Sequence, residues 1–157
     1  MKAIKAIVIG GLIAGALDIT YACVAYGLKY GVPPMRIFQS VAAGWLGRDA
    51  ARAGGLQTAI LGGVSHFGIA IAMAAAYVIA ARWLPILLKR PVIMGVLYGA
   101  LLFVIMNWIV VPYSARHGDP PSKIDEDFFI ALFPHVVFVG PAIALTARAF
   151  LRVNRAA

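Results

Sequence analysis

The sequence predicts an all-α fold: a polytopic membrane protein with four transmembrane helices and an interfacial amphipathic helix in the first loop. Hydrophobic residues make up 62% of the 157 residues and charged residues only 13%, whereas ordinary globular chains carry about 25% charged residues. The charges are clustered, because no Asp, Glu, Lys or Arg occurs in residues 53–81, 91–115 or 128–147. Each of these runs is long enough to cross a bilayer core as a helix, which takes roughly 20 residues.

Four predicted spans follow one another in a single domain that covers residues 1–157. A backbone inside lipid must satisfy its own hydrogen bonds, so helices are the expected spanning form. The spans are expected at about residues 6–28, 57–81, 92–111 and 128–151. Asp18 is the only charged residue in the first of them, and its position in an apolar run needs a physical reason.

The first loop predicts an amphipathic helix over residues 34–52. Proline suits the first turn of a helix, and Pro34 stands at the start of this segment. Its apolar face is formed by residues spaced four apart, namely Ile37, Val41 and Trp45. We expect the helix to lie at the bilayer surface, and a partner-binding helix is the alternative. The residues expected at headgroup depth are Arg36, Trp45 and Arg48.

The third loop is polar and holds four of the six acidic residues. Ser122 followed by Asp125 is typical of a capping box at the start of a helix. Asp125, Glu126 and Asp127 would then lie in the first turn of the fourth span, where the helix dipole favours negative charge. The acidic cluster therefore has a structural explanation, and a cation site is the alternative.

The basic residues lie at the ends of the apolar segments and give the chain a formal net charge of +8. This distribution is typical of contact with anionic lipid headgroups, so we expect the bilayer as a partner and no nucleic acid. The N-terminus, the second loop and the C-terminal end hold eight Lys and Arg residues, and the first and third loops hold six. This excess favours both termini in the cytoplasm.

Isolated polar residues on the four spans are expected to share one layer inside the bundle. At the standard helical rise, all of them fall in the half of the bilayer that faces the first and third loops. The residues of this intramembrane polar layer are Asp18, His66, Asn107 and His135. A charge that faces lipid would cost about 2.5–3.5 kcal/mol, so we expect Asp18 to face inward, toward His66, Asn107 or water.

Small residues on the same helix faces favour close helix packing. Gly11 and Gly15 form a small-xxx-small pair on the face that carries Asp18, and such pairs let two helix backbones approach closely. The glycines expected at helix contacts are Gly11, Gly15, Gly62, Gly95 and Gly99.

Three classes of function are compatible with the polar layer. The first is the handling of a proton, an ion or a small solute through the layer. The second is a non-catalytic membrane subunit or scaffold, in a homo-oligomer or a larger assembly, whose polar residues only hold helices together. The third is binding of haem or a metal by His66 and His135, neither of which belongs to an HxxxH, HExxH or Cys/His pattern. An enzyme is not expected, because the neighbours Ser65 and His66 point about 100° apart on a helix and cannot form a Ser–His pair.

Three stretches resemble those of small, uncharacterised bacterial inner-membrane proteins of the YagU-like kind. They are AAGWLG (42–47), MNWIVVPYS (106–114) and HVVFVGPAIAL (135–145). The resemblance spans most of the chain after residue 35. It implies a bacterial inner membrane and a four-helix topology, and it implies no established reaction.

Overall fold

Four long helices dominate the computed structural model, which describes residues 1–151 and contains no strand among them. Each is long and apolar enough to cross a membrane, with a mean hydropathy of 1.8 to 2.2 over its most apolar window. They are α1 (Lys2–Tyr30), α4 (Gly55–Ala80), α6 (Pro91–Tyr113) and α7 (Glu126–Leu151). The predicted all-α class with four such helices is confirmed, and three short helices connect them: α2 (Pro34–Leu46), α3 (Arg48–Ala53) and α5 (Ile86–Lys89).

The long helices pack through small side chains. Helix α1 lies between α4 and α7, and α6 packs on the other side of α7. The most deeply buried alanines of the long helices, each no more than 1% exposed, are Ala6, Ala14, Ala74, Ala144 and Ala147. Large apolar side chains such as Leu12, Val64 and Leu97 point outward instead. This distribution suits a bundle in lipid, where small residues at the contacts let helix backbones approach.

Glycines stand where the backbones approach most closely. A Cβ atom at Gly99 would lie 2.0 Å from the carbonyl oxygen of His135, and one at Gly11 would lie 2.6 Å from Cα of Ile71. All five glycines expected at helix contacts stand at close approaches to a neighbouring element, namely Gly11, Gly15, Gly62, Gly95 and Gly99. Gly140 was not among the glycines predicted at helix contacts, yet a Cβ there would lie 2.0 Å from the Gly95 carbonyl oxygen.

The first loop does not form one helix over residues 34–52, and that prediction is wrong at Gly47. The chain breaks there, at φ 80° and ψ 165°, a conformation that is essentially restricted to glycine. Helix α2 packs against α4, and the buried Gln39 side chain donates a hydrogen bond to the Gly55 carbonyl at 2.9 Å. Because of the break at Gly47, α3 does not continue the axis of α2. The positions of Arg48 and Arg52 therefore depend on the conformation of Gly47.

The third loop begins α7 differently from the predicted capping box. Asp125 is itself the N-cap, because its carboxylate accepts a hydrogen bond from the Phe128 backbone N–H at 3.1 Å. Glu126 and Asp127 pair with Lys29 at the end of α1, with N–O distances of 3.0 and 2.8 Å. The first and third loops therefore lie at the same end of the bundle, hereafter the loop end.

Two π turns interrupt the long helices at the same level as the polar layer. They cover Met106–Val110 in α6 and His135–Val139 in α7. In α7 the Gly140 N–H bonds to the His135 carbonyl, five residues back. Pro141 lacks an N–H group and cannot bond the carbonyl four residues back. A proline at this position thus accounts for a local departure from α-helical bonding.

Candidate functional site

The four residues of the polar layer line one cavity of about 240 Å³ inside the bundle. Asp18 is carried by α1, His66 by α4, Asn107 by α6 and His135 by α7. The rest of the wall is mostly apolar and includes Ala14, Ala70 and Val139. One polar group from each long helix therefore reaches the same space.

Asp18 and His66 form the closest approach of two ionisable groups in this cavity. The His66 Nε2 lies 3.9 Å from Asp18 Oδ2 and 2.9 Å from the Gly15 carbonyl oxygen. Since a carbonyl only accepts, Nε2 carries the proton of this bond and Nδ1 is left to bind another. The Asp18 side chain is 23% exposed and the His66 side chain is 13% exposed. Asp18 accepts no hydrogen bond from residues 1–151.

Asn107 and His135 bond within their own helices. Asn107 Nδ2 donates to the Phe103 carbonyl at 2.9 Å, and His135 Nδ1 donates to the Ala131 carbonyl at 3.0 Å. Both acceptors stand four residues earlier, where a helical side chain reaches most easily. Of the two side chains expected to bond Asp18, Asn107 bonds its own helix and His66 approaches the carboxylate to 3.9 Å.

The surroundings of the two histidines bear on the hypothesis that they bind haem or a metal. Residues 1–151 hold no group of three or more His, Cys, Asp or Glu side chains arranged for a metal ion. Each imidazole uses one ring nitrogen on a backbone carbonyl, which leaves one nitrogen per ring. Binding of haem or a metal by His66 and His135 therefore stays a prediction.

A larger pocket of about 740 Å³ adjoins the cavity at the loop end. Its wall includes Pro33 and Arg36 from the first loop and Arg116 from the third. The residues that line both spaces are Asp18, Ala22, Tyr26, Val41 and His66. The Asp18–His66 pair therefore lies at the junction between the loop-end pocket and the inner cavity.

The interfacial residues of the sequence analysis fall on and near this pocket. Arg36 and Arg48 line it, while Trp45 donates a hydrogen bond from Nε1 to Ser65 Oγ at 3.0 Å. Sequence reasoning did not single out Arg52 or Arg116, which line the same wall. In the sequence, these two residues are distinguished only by a positive charge in a loop. Such a charge is equally typical of contact with lipid headgroups, so it does not indicate a pocket.

The opposite half of the bundle is packed. Its core includes Ala6, Val78 and Ala147. Tyrosine hydroxyls tie the elements there, because Tyr77 donates to the Leu87 carbonyl at 2.9 Å and Tyr98 to the Met73 carbonyl at 2.8 Å. In the described residues, the polar layer is thus reached from the loop end through the larger pocket. The half of the bundle on the other side of the layer is densely packed.

Comparisons with protein-family models, with curated proteins and with solved structures found no match.

Proposed function

We propose that this protein is a small bacterial inner-membrane transport protein that takes up and releases a proton at the Asp18–His66 pair, with both termini in the cytoplasm. One observation carries the proposal: four helices each supply a polar side chain to one cavity, and two of these side chains also line the loop-end pocket. Ionisable groups inside a membrane-spanning bundle are costly and are typically found on ion or proton pathways.

The chemistry of the pair suits proton exchange. Imidazole is the side chain that changes charge closest to neutral pH. Protonation of His66 at Nδ1 would place an imidazolium next to a carboxylate oxygen 3.9 Å from Nε2, and the opposite charges attract. A proton that enters from the loop-end pocket can thus be held on either group, with the partner adjusting its charge state.

The π turns add support from the backbone. Asn107 lies in the π turn of α6, and His135 begins the π turn of α7. Such turns occur frequently at functional sites. Locally broken helices also supply backbone carbonyls to substrate sites in transporters. Both departures from α-helical bonding occur at the two layer residues that line the cavity together with Asp18 and His66.

A purely structural layer is the second candidate, because three of the four side chains bond backbone carbonyls. Only one of those bonds, from His66 to Gly15, joins two helices. The bonds of Asn107 and His135 stay within one helix and add no link between helices. The hydrogen bonding therefore favours proton transport over a layer that only holds the helices together.

Proton flux into liposomes tests the proposal. The purified protein is reconstituted with a pH-sensitive dye inside, a pH gradient is imposed, and the rate is compared with that of empty liposomes. Asp18→Asn and His66→Gln should each lower the flux at least about tenfold, because neither amide titrates near neutral pH. Asp119→Asn is the matched control, since this exposed carboxylate lines neither space, and it should keep the wild-type rate.

Thermal melts of the same variants show whether each still folds. Wild-type flux in a folded Asp18→Asn variant would contradict the proposal. A wild-type rate equal to that of empty liposomes would also contradict it and would favour the structural layer.

A further inference from the structure

Four arginine side chains converge on the loop-end pocket from three separate segments. Arg36 belongs to α2, Arg48 and Arg52 belong to α3, and Arg116 follows α6. A single carboxylate, that of Asp18, stands among the lining residues. The first and last of these arginines are 80 residues apart in the sequence, so the tertiary structure brings them to one pocket.

No acidic side chain neutralises these arginines in the part of the chain that the structure describes. The ion pairs there join Lys29 to Glu126 and Asp127, and the Asp18 carboxylate lies nearest to the His66 imidazole, at 3.9 Å. Arg36 Nη1 instead donates to neutral acceptors, the Gln39 Oε1 at 2.9 Å and the Arg52 carbonyl at 3.3 Å. The pocket therefore carries an excess of positive charge that the protein itself does not balance.

The arginines also oppose one another. Burial, together with the nearby charge of Arg48, lowers the pKa of the half-buried Arg116 guanidinium. Like charges held at one pocket repel, and the repulsion is relieved when an anion binds between them. The five-donor fork of a guanidinium matches the oxygens of a phosphate group, often through two parallel bonds.

We propose that the loop-end pocket binds a phosphate ester through Arg36, Arg48, Arg52 and Arg116. A volume of about 740 Å³ holds a small phosphorylated molecule or the headgroup of an anionic phospholipid, since ligand pockets commonly span about 300–1,000 Å³. The shared chemistry is the phosphate ester, and the experiment below distinguishes the two sources. The proposal does not require proton transfer by Asp18 and stands apart from the proposed transport.

Calorimetric titration with glycerol 3-phosphate tests binding of the free ester. The full-length protein is placed in nanodiscs of zwitterionic phosphatidylcholine and titrated at low salt, because screening weakens contacts of this kind. Arg116→Gln should weaken binding about tenfold or more, as loss of a charged hydrogen bond predicts. Arg82→Gln is the matched control: it removes the same charge from an exposed side chain that lines neither space, and it should bind as the wild type does.

A second variant keeps the test decisive if Arg116→Gln fails to fold. Arg48→Gln changes an exposed side chain and should weaken binding in the same direction, while its melting temperature stays near that of the wild type.

Nanodiscs that contain phosphatidylglycerol separate the two sources. If the ligand is a lipid headgroup, these nanodiscs should abolish the glycerol 3-phosphate signal in the wild type, and native mass spectrometry should find the lipid retained less by Arg116→Gln. If the ligand is a free ester, the signal should persist in both kinds of nanodisc. Either result supports the site. Absence of both saturable titration and lipid retention would overturn it, as would equal binding by Arg48→Gln, Arg116→Gln and Arg82→Gln.

Discussion

At the scale of single residues, Asp18 shows how the setting of a side chain decides its cost. Facing lipid, its charge would cost about 2.5–3.5 kcal/mol. In the structure the carboxylate borders two open spaces and lies 3.9 Å from the His66 imidazole. A chargeable partner reduces this cost, as would water that enters those spaces, so the residue can be kept in a span without facing the membrane.

Gly62 offers a test of close backbone contact with a control on the same helix. A Cβ there would lie 1.9 Å from the Phe38 carbonyl oxygen, whereas one at Gly68 would meet nothing within 4 Å. Gly62→Ala should destabilise the protein by about 1–3 kcal/mol, because α2 must move to relieve the overlap. Gly68→Ala should be neutral or stabilising by up to about 1 kcal/mol. Thermal unfolding in detergent measures both, and equal melting temperatures would show that α2 is not held against Gly62.

At the scale of elements, the break at Gly47 sets the direction of α3 and hence of Arg48 and Arg52. Helix α2 ends at Leu46 and α3 begins at Arg48, so one residue makes the whole turn. The turn brings two arginines of α3 to the wall that α2 and the third loop already form. A continuous helix would carry them away in the direction of α2.

Gly47→Ala should weaken both stability and phosphate binding. Alanine cannot adopt φ 80° and ψ 165° without strain of about 1–3 kcal/mol, so the turn must change and displace Arg48. Glycerol 3-phosphate titration and a thermal melt check the two effects. Gly55→Ala is the control: its φ of 57° lies in the left-handed region, which alanine can enter at a cost of about 1–2 kcal/mol. The control should melt lower yet bind normally, and normal binding by Gly47→Ala would contradict the assigned role of the turn.

At the scale of the whole molecule, the charges differ between the segments that join the long helices. The first and third loops hold six Lys and Arg residues and five of the six acidic residues, whereas the N-terminus, the second loop and the C-terminal segment hold eight Lys and Arg residues and no acidic residue. Two of those eight, Arg152 and Arg155, lie outside the described residues. Because Lys and Arg are retained in the cytoplasm, this asymmetry predicts that the arginine-lined pocket opens to the periplasm.

Cysteine labelling in intact cells checks this orientation without altering any charge. In a Cys23→Ala background, Ser122→Cys in the third loop should react with a membrane-impermeant maleimide. Trp83→Cys in the second loop should react only after the cells are permeabilised. Both native side chains are exposed, so accessibility on the protein is matched. Labelling of Trp83→Cys alone in intact cells would reverse the assigned orientation.

The sequence by itself determined the helical class and the number of long apolar helices. These properties follow from composition and from the spacing of charges along the chain, which are local quantities that survive any arrangement of the helices. The helix ends predicted from charge agree with the observed ones to within a few residues. The break at Gly47 could not be predicted in this way, because glycine is also tolerated inside a helix and only packing selects its conformation.

Only the tertiary structure decided which groups meet. Asp18 approaches His66, while Asn107 and His135 bond their own helices. The helical period predicts the face on which a side chain lies. It does not predict whether that side chain bonds a neighbouring helix or the carbonyl four residues earlier in its own helix. The pocket of four arginines depends even more on the fold, since Arg116 and Arg36 belong to loops that the packing of α1 against α4 and α7 brings to one end of the bundle.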